Sequence, residues 1–241
     1  MQVFVTSIDA NTGKTFLTAG LATVMQSLGY KAGVYKPVQT GAIEKNGFLV
    51  SPDLSFVKQL DSFVETSNTY IFKSKCAPVV AAELENTLID LKTIDRDYNI
   101  LKNSCEVVLV EDSGGILEPL TDNLFMSDIS KMLNIPLLIV ADAMALSVSN
   151  TLSIINTAKE KGLDIAGVII NKFPSGSASI LAKTIPNLIE AYSDTKVLGV
   201  MPEIKDFKYT KPGSLINVLI NNVDIESVFR IKIPKLNLVQ D

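Results

Sequence analysis

The chain has 241 residues, of which 47% are hydrophobic and 20% are charged, and its formal net charge is −4. This composition is typical of a folded globular protein, and the sequence has no basic block that would indicate a nucleic-acid partner. The absence of histidine excludes catalysis by Ser-His or Cys-His pairs and histidine-based metal sites. Cys76 and Cys105 lack metal-ligand spacing, and we expect reduced thiols in or near the core.

The first residues form a strand-like run and show no basic segment followed by an apolar signal stretch. No apolar run approaches the roughly 20 residues that are needed to span a bilayer. We therefore expect a soluble, cytoplasmic protein with no membrane partner.

Short apolar runs alternate with longer helical stretches along most of the chain. The runs predict strands at 2–6, 32–35, 106–111, 135–141, 164–170 and 196–200. The stretches between them predict helices at about 14–28, 53–60, 91–103, 126–133, 149–161, 177–192 and 213–222. This alternation predicts an α/β fold with a doubly wound, mostly parallel sheet and helices on both faces.

Two regions of the chain give weaker signals. Residues 41–90 are less regular and predict an insertion of short elements, and residues 206–241 form a tail to which the sequence assigns no role. No repeat or linker divides the chain, so residues 1–241 are predicted to form a single domain. Ligands of such sheets bind at the carboxyl ends of the strands, and the functional residues are expected in the loops there.

The loop after the first predicted strand carries the clearest functional motif. Residues 7–15 read Ser-Ile-Asp-Ala-Asn-Thr-Gly-Lys-Thr and lead into the first predicted helix. Backbone N–H groups at such a helix start face an anion, Lys14 neutralises the outer phosphates, and the Thr15 hydroxyl binds Mg²⁺. The strict motif requires glycine where Ile8 stands, so the match is partial. We predict a site for ATP and Mg²⁺ around Gly13, Lys14 and Thr15.

Charged residues at other strand ends can complete this site, because Mg²⁺ at a P-loop also needs a carboxylate. Glu111 ends a predicted strand and is a candidate ligand. Asp112 is either a second ligand or a solvated turn residue, and Asp53 is either a ligand or an acid at a helix start. Lys36 precedes Pro37 at another strand end, a suitable place for a cation near the phosphates, although such a lysine is usually only solvated.

These residues resemble those of the dethiobiotin synthetase family, ATP-dependent carboxylases that close the ureido ring of biotin. The resemblance rests on ordered matches over roughly residues 1–205 and not on the P-loop alone. The matching segments are the P-loop, 36–41, Asp53, 77–82, 110–115, 119–122, Asn171 and 199–202.

The resemblance implies a role for each matching residue. The metal ligands would be Thr15, Asp53 and Glu111. The catalytic residues, which act on the phosphates, the carbamate and the diamine, would be Lys14, Lys36 and Thr40. The nucleotide would contact Asp9, Ala10, Asn11, Thr12, Gly13, Lys14, Thr15, Asn171 and Pro202. The resemblance further implies ATP, CO₂ and diaminopelargonate (7,8-diaminononanoate) as substrates, and a homodimer with the active site near its interface.

In that family, one amine takes up CO₂ as a carbamate, the carbamate attacks the γ-phosphate of ATP, and the second amine closes the ring with loss of phosphate. This chemistry needs Mg²⁺ and lysines against accumulating negative charge, and no protein nucleophile. A chain without histidine is compatible with it.

Four positions depart from the family pattern. Ser7 replaces a glycine of the phosphate loop, Asn11 stands where an acid is common, and Asp112 replaces a small residue beside Glu111. Leu146 replaces a glycine in a segment that, in the family, begins a helix holding the substrate's carboxylate across the dimer interface.

Three other functions remain open on the sequence. A cobyrinate-type amidotransferase synthetase has the same P-loop layout, but this chain has no room for a glutaminase domain. A MinD/ParA-like ATPase switch has an additional lysine early in the P-loop, where Ser7, Ile8 and Asp9 stand here, and no C-terminal amphipathic membrane helix is evident. A nucleotide-binding relative without turnover would fit the departures from the motif.

Overall fold

The computed structural model describes residues 1–7, 11–143, 147–174, 180–204 and 211–234. The strands are β1 (Gln2–Ser7), β2 (Ala32–Gln39), β3 (Ile43–Lys45), β4 (Phe48–Val50), β5 (Glu65–Ile71), β6 (Val107–Glu111), β7 (Leu137–Asp142), β8 (Ile165–Phe173) and β9 (Val197–Pro202). The helices are α1 (Lys14–Ser27), α2 (Pro52–Leu60), α3 (Pro78–Leu84), α4 (Leu91–Ser104), α5 (Met126–Leu133), α6 (Ser147–Glu160), α7 (Ile180–Ser193), α8 (Pro212–Asn222) and α9 (Ile225–Phe229). None of these described helices has the length and hydropathy of a membrane span.

Seven strands form one sheet in the order β5-β2-β6-β1-β7-β8-β9, and all of the pairings between them are parallel. The central strands read as continuous apolar runs because helices cover them on both faces; every residue of β6 is buried. The strands β3 and β4 form a separate antiparallel hairpin. The predicted doubly wound, parallel α/β fold is therefore confirmed.

Successive side chains of the central strands pack into two separate cores. In β1, Val3 and Val5 face one core and Phe4 faces the other, as the alternation of a strand requires. Helices α1, α2, α8 and α9 cover the first face, and α3 to α7 cover the second. Helices α1 and α8 approach closely, since a Cβ added at Gly20 would lie 2.5 Å from Leu219 Cδ1.

Both weakly predicted regions contribute to this packing. Residues 41–90 contain the hairpin, α2 and α3, and they also supply β5, which pairs with β2 at one edge of the main sheet. The described part of the tail forms α8 and α9, and it buries Leu215 and Phe229 in the first core. The tail segments 205–210 and 235–241 lie outside the described residues.

The connections after β1 and β6, which are neighbours in the sheet, run to opposite sides. Helix α1 leads from β1 to β2 over the first face, whereas α5 leads from β6 to β7 over the second. The loops that follow these two strands therefore separate. In open parallel sheets, ligands bind in the crevice at such a switch point.

Candidate active site

A cleft with a volume of about 960 Å³ lies at the carboxyl ends of the strands around this switch point. The cleft is lined by the following predicted site residues: Asn11, Thr12, Gly13, Lys14, Thr15, Lys36, Thr40, Asp53, Glu111, Asn171 and Pro202. The other two, Asp9 and Ala10, lie outside the described residues. One cleft therefore brings together every predicted site residue that the structure describes.

The described residues directly before α1 include left-handed backbone at the N-cap of the helix. Gly13 is the N-cap of α1 and has a φ of 91°, in the left-handed region that favours glycine. A Cβ at this position would lie 2.2 Å from Asn171 Nδ2, so a side chain here would also require Asn171 to shift. The first turn of α1 contains no acidic residue, and its first residues line the cleft. The positive end of α1 is thus directed at the cleft, which favours an anion there.

Lys14 is buried beside the P-loop, and within the described residues its ammonium group contacts oxygens of Ser7 and Asp112. Its Nζ donates to Ser7 Oγ at 2.7 Å and lies 3.3 Å from Asp112 Oδ1. Asp112 is fully buried, and its other oxygen accepts a hydrogen bond from Thr6 Oγ1. The interpretation of Asp112 as a solvated turn residue is therefore wrong. This carboxylate is a buried counter-charge for Lys14, and Ser7, at the family's glycine position, is the second partner.

Lys36 lies at the centre of a buried charge cluster. Its Nζ is 2.6 Å from Asp53 Oδ2 and 2.8 Å from Glu111 Oε1, and it donates to the Asp112 carbonyl oxygen at 2.7 Å. Burial alone would lower the pKa of Lys36, but the Glu111 and Asp53 carboxylates outweigh this effect and raise the pKa above its usual value. The usual interpretation of a lysine after a strand, a solvated side chain, is wrong here, because Lys36 is a buried cation.

Glu111 connects the charge cluster to the P-loop, because its Oε1 also accepts a hydrogen bond from Thr15 Oγ1 at 2.7 Å. Asp53 is an acid in the first turn of α2, and Ser51 caps that helix by accepting from the Leu54 N–H. The described residues contain no group of three acidic or cysteine side chains that would hold a metal by itself. Thr15, Asp53 and Glu111 nevertheless fit Mg²⁺, which binds one or two carboxylates and completes its shell with water and phosphate oxygens.

The end of β8 holds the P-loop from another direction. Asn171 Nδ2 donates to the Thr12 carbonyl at 2.8 Å, and Lys172 Nζ donates to the Asn11 carbonyl. Lys172 has a φ of 56°, and the pairing of β8 with β9 shifts its register after Ile170. Because side chains alternate in a regular strand, this irregularity allows two consecutive residues to reach the same loop.

Three further charged residues line the cleft within the described part of the chain, and none of them was predicted from the sequence: Lys75, Glu118 and Lys172. Lys172 Nζ also lies 3.2 Å from Asp142 Oδ2. Burial, and then the negative charge of Asp112, raise the pKa of Glu118 above its usual value. No local motif marks these residues, since each reaches the cleft from a loop or strand end whose position depends on the whole sheet.

Two further predictions concern the edge of the cleft. Residues 145 and 146 of the predicted carboxylate-binding segment lie outside the described residues, and α6 begins at Ser147. Both cysteines are free thiols, as predicted; Cys105 is buried, and Cys76 lines the cleft and is partly exposed.

Comparisons with known proteins place this geometry in a structural class. The MinD cell division ATPase of Pyrococcus furiosus superposes with a TM-score of 0.58 at 18% identity, over 95% of this chain and 98% of that one. MinD of Pyrococcus horikoshii OT3, solved in complex with Mg-ADP, gives a TM-score of 0.58 at 15% identity, over 100% and 99% of the two chains. At such identities the likeness shows the P-loop NTPase fold alone.

Sequence similarity identifies the family. A family model described as an AAA domain matches residues 1–210. The ATP-dependent dethiobiotin synthetase of Anoxybacillus flavithermus is 33% identical over 208 residues, which are 86% of this chain and 93% of that protein. The enzyme of the same name from Bacillus subtilis strain 168 is 31% identical over 201 residues, or 83% and 87% of the two chains. This chain therefore belongs to the family of ATP-dependent dethiobiotin synthetases, P-loop enzymes that are ATP-dependent ligases.

Proposed function

We propose that this protein converts 7,8-diaminononanoate and CO₂ to dethiobiotin, with ATP and Mg²⁺. The observation that carries the proposal is a continuous series of buried and partly buried contacts from the P-loop to Asp53. In it, Thr15 donates to Glu111, Glu111 accepts from Lys36, and Lys36 pairs with Asp53. The Lys36 cation lies between the phosphate loop and the end of β2. At this position it can stabilise the transfer of a phosphoryl group to an acceptor bound on the β2 side of the cleft.

The strand order divides the cleft into two halves on either side of the P-loop. Asn171 and Pro202 lie at the ends of β8 and β9, whereas Thr40 and Lys36 belong to β2 and the loop after it, on the other side of β1. We assign the nucleoside to the half at β8 and β9, which together with the P-loop we call the nucleotide half. The diamine and its carbamate belong to the half at β6 and β2, the co-substrate half, with the γ-phosphate between them.

The reaction depends on positioning and charge stabilisation. A carbamate formed from one amine and CO₂ attacks the γ-phosphorus of ATP, and ADP leaves with the electron pair of the broken P–O bond. The second amine attacks the carbonyl carbon of the resulting carbamic-phosphoric anhydride. Phosphate leaves with the electrons of the C–O bond, the attacking nitrogen loses a proton, and a cyclic urea results.

The predicted catalytic and metal-binding residues each have a defined part in this proposal. Lys14 and Lys36 stabilise the negative charge on the transferred phosphoryl group and the carbamate, and Thr40 orients the diamine. Lys36 keeps its position because two carboxylates hold it, and it stays protonated because those carboxylates raise its pKa. Mg²⁺, held by Thr15 and Glu111 together with Asp53, would neutralise charge on the phosphate oxygens.

The test measures phosphate release from Mg-ATP and bicarbonate, with and without 7,8-diaminononanoate. We expect release that requires the diamine, together with a cyclic urea product identified by mass. Lys14→Ala should lower release by about 10²- to 10³-fold, and it should also lower the melting temperature, because it leaves the buried Asp112 carboxylate without its counter-charge. Lys131→Ala, at an exposed position of α5, is the matched control and should behave as wild type. Nucleotide binding without diamine-dependent release would contradict the proposal and indicate a switch or a binding protein.

A further inference from the structure

The carboxylates around the cleft differ in whether the protein itself neutralises them. Asp53 and Glu111 pair with Lys36, and Asp112 pairs with Lys14. Glu118 also lines the cleft, but within the described part of the chain its carboxylate makes no hydrogen bond and no ion pair. Its electrostatic environment comes from Asp112, which disfavours the ionised form, and from Lys14, which favours it.

Glu118 is held in the co-substrate half of the cleft. It lies in the loop after β6, and β6 lies between β1 and β2, away from β8 and β9. Its Oε2 is packed against Gly114, where an added Cβ would lie 2.4 Å from that oxygen. The backbone of Glu118 is fixed as well, since its N–H donates to Gly115 O and its carbonyl accepts from Met126 N. The carboxylate therefore has a fixed position in the wall of the cleft.

A carboxylate in this place is unfavourable for phosphate binding alone, because it repels the phosphates that Lys14 and Lys36 attract. Partial burial without a partner adds a desolvation cost. A ligand that carries an amino group compensates both effects, because an ammonium or amine N–H forms a charge-assisted hydrogen bond with a carboxylate. The unpaired charge therefore points to an amine rather than to a further anion in this half.

We propose that Glu118 binds one amino group of the diamine and so determines which acceptor the co-substrate half takes. The proposal rests on the proposed function, since it assigns a residue to the diamine. It gives the co-substrate half an anionic anchor for one amine beside the lysines that hold the carbamate and the phosphoryl group. Glu118 is then a specificity-determining residue for the amine and has no role in binding the nucleotide or the metal.

The first experiment compares wild type, Glu118→Gln and the control Glu83→Gln, an exposed glutamate on α3 that loses the same charge. Diamine is titrated at saturating Mg-ATP and bicarbonate, and ATP and Mg²⁺ are titrated separately. For Glu118→Gln we expect a KM for diamine about ten- to a hundredfold higher, as for loss of a hydrogen bond to a charged group. The KM for ATP and the Mg²⁺ half-saturation should stay within twofold of their wild-type values, and the melting temperature should be unchanged. Glu83→Gln should match wild type in every measurement.

The second experiment measures binding without turnover, by calorimetry in the presence of Mg²⁺ and a non-hydrolysable ATP analogue. The probes are 7,8-diaminononanoate, 7-aminononanoate and 8-aminononanoate. Glu118→Gln should weaken the diamine and the one monoamine that retains the bound amino group, and leave the other monoamine unaffected. A structural effect of the substitution would weaken all three ligands alike and would overturn the proposal.

The outcomes separate the two proposals. If wild type releases phosphate with the diamine but Glu118→Gln binds all three probes normally, the role of Glu118 is refuted and the proposed function stands. If Glu118→Gln changes the Mg²⁺ half-saturation at a constant KM for diamine, the residue acts on the metal and the inference is equally refuted. If wild type neither binds the diamine nor responds to it, both proposals are wrong.

Discussion

The two halves of the cleft are built by different physical means. The nucleotide half depends on backbone: Gly13 in a left-handed conformation, the start of α1, and carbonyls held by Asn171 and Lys172. The co-substrate half depends on buried side-chain charges centred on Lys36. The first kind of site is fixed by local conformation, and the second by the meeting of residues far apart in the chain. Substitutions in the two halves should therefore impair the protein in different ways.

The largest effect is expected from Lys36→Met in the co-substrate half. The substitution leaves Glu111 and Asp53 without their common cation, and an uncompensated buried charge is strongly destabilising. We expect the free energy of unfolding to fall by about 3 kcal/mol and phosphate release to fall by about 10³-fold. Urea unfolding and the phosphate assay measure the two effects.

The double variant Lys36→Met/Glu111→Gln tests whether these residues act as one cluster. It removes one of the two negative charges that Lys36→Met leaves uncompensated, and it should recover part of the lost stability without recovering activity. Additive stability losses in the double variant would show that the pairs are independent, and the charge cluster would not be the organising feature of this half.

The same difference determines how much of each half could be predicted from the sequence. The phosphate loop lies within nine consecutive residues between a strand and a helix, so its motif and its chemistry are local. The contact of Lys36 with Glu111 joins residues 75 positions apart, and it exists because β2 and β6 are neighbours in the sheet. Hydrophobic periodicity predicts that a strand exists, but it does not predict strand order. The partners of Lys36 were therefore not predictable from residue pattern alone.

The same limit applies to the fold. Apolar runs predicted six of the seven strands of the main sheet, but β5, with the sequence ETSNTYI, was missed because it is polar and only partly buried at the sheet edge. Asp112 was open to a turn interpretation because aspartate is common in turns. Its burial beside Lys14 and Thr6 results from tertiary packing, which overrides the local preference.

A smaller effect, confined to affinity, is expected from Gly13→Ala in the nucleotide half. Alanine is strained at a φ of 91°, and its Cβ would lie 2.2 Å from Asn171 Nδ2. A strain of about 1–3 kcal/mol in the loop should raise the Kd for Mg-ATP by roughly ten- to a hundredfold. Gly213→Ala in α8, where an added Cβ meets nothing within 4 Å, is the control and should leave affinity unchanged. Normal nucleotide affinity in Gly13→Ala would contradict a backbone-built site.

The smallest effect is expected from Lys172→Asn, which tests whether β8 positions the P-loop. Asparagine tolerates the φ of 56° at this position, so the substitution removes the ammonium group while keeping the backbone bend. Because the Lys172 side chain is 40% exposed, we expect a loss of only about 1 kcal/mol, or roughly fivefold in Kd for ATP and ADP alike. Lys172→Arg should retain near-normal affinity, and Lys131→Asn on α5 controls for the lost charge.

Hydrogen exchange in the nucleotide-free protein decides how Lys172 acts. If Lys172 holds the loop through the Asn11 carbonyl, the amides of residues 11–15 should exchange faster in Lys172→Asn, and those of α5 should not. A loss of affinity without faster exchange would mean that Lys172 acts on the phosphates directly. The nucleotide half would then share the charge-based design of the co-substrate half, and the contrast between them would reduce to the number of charges each contains.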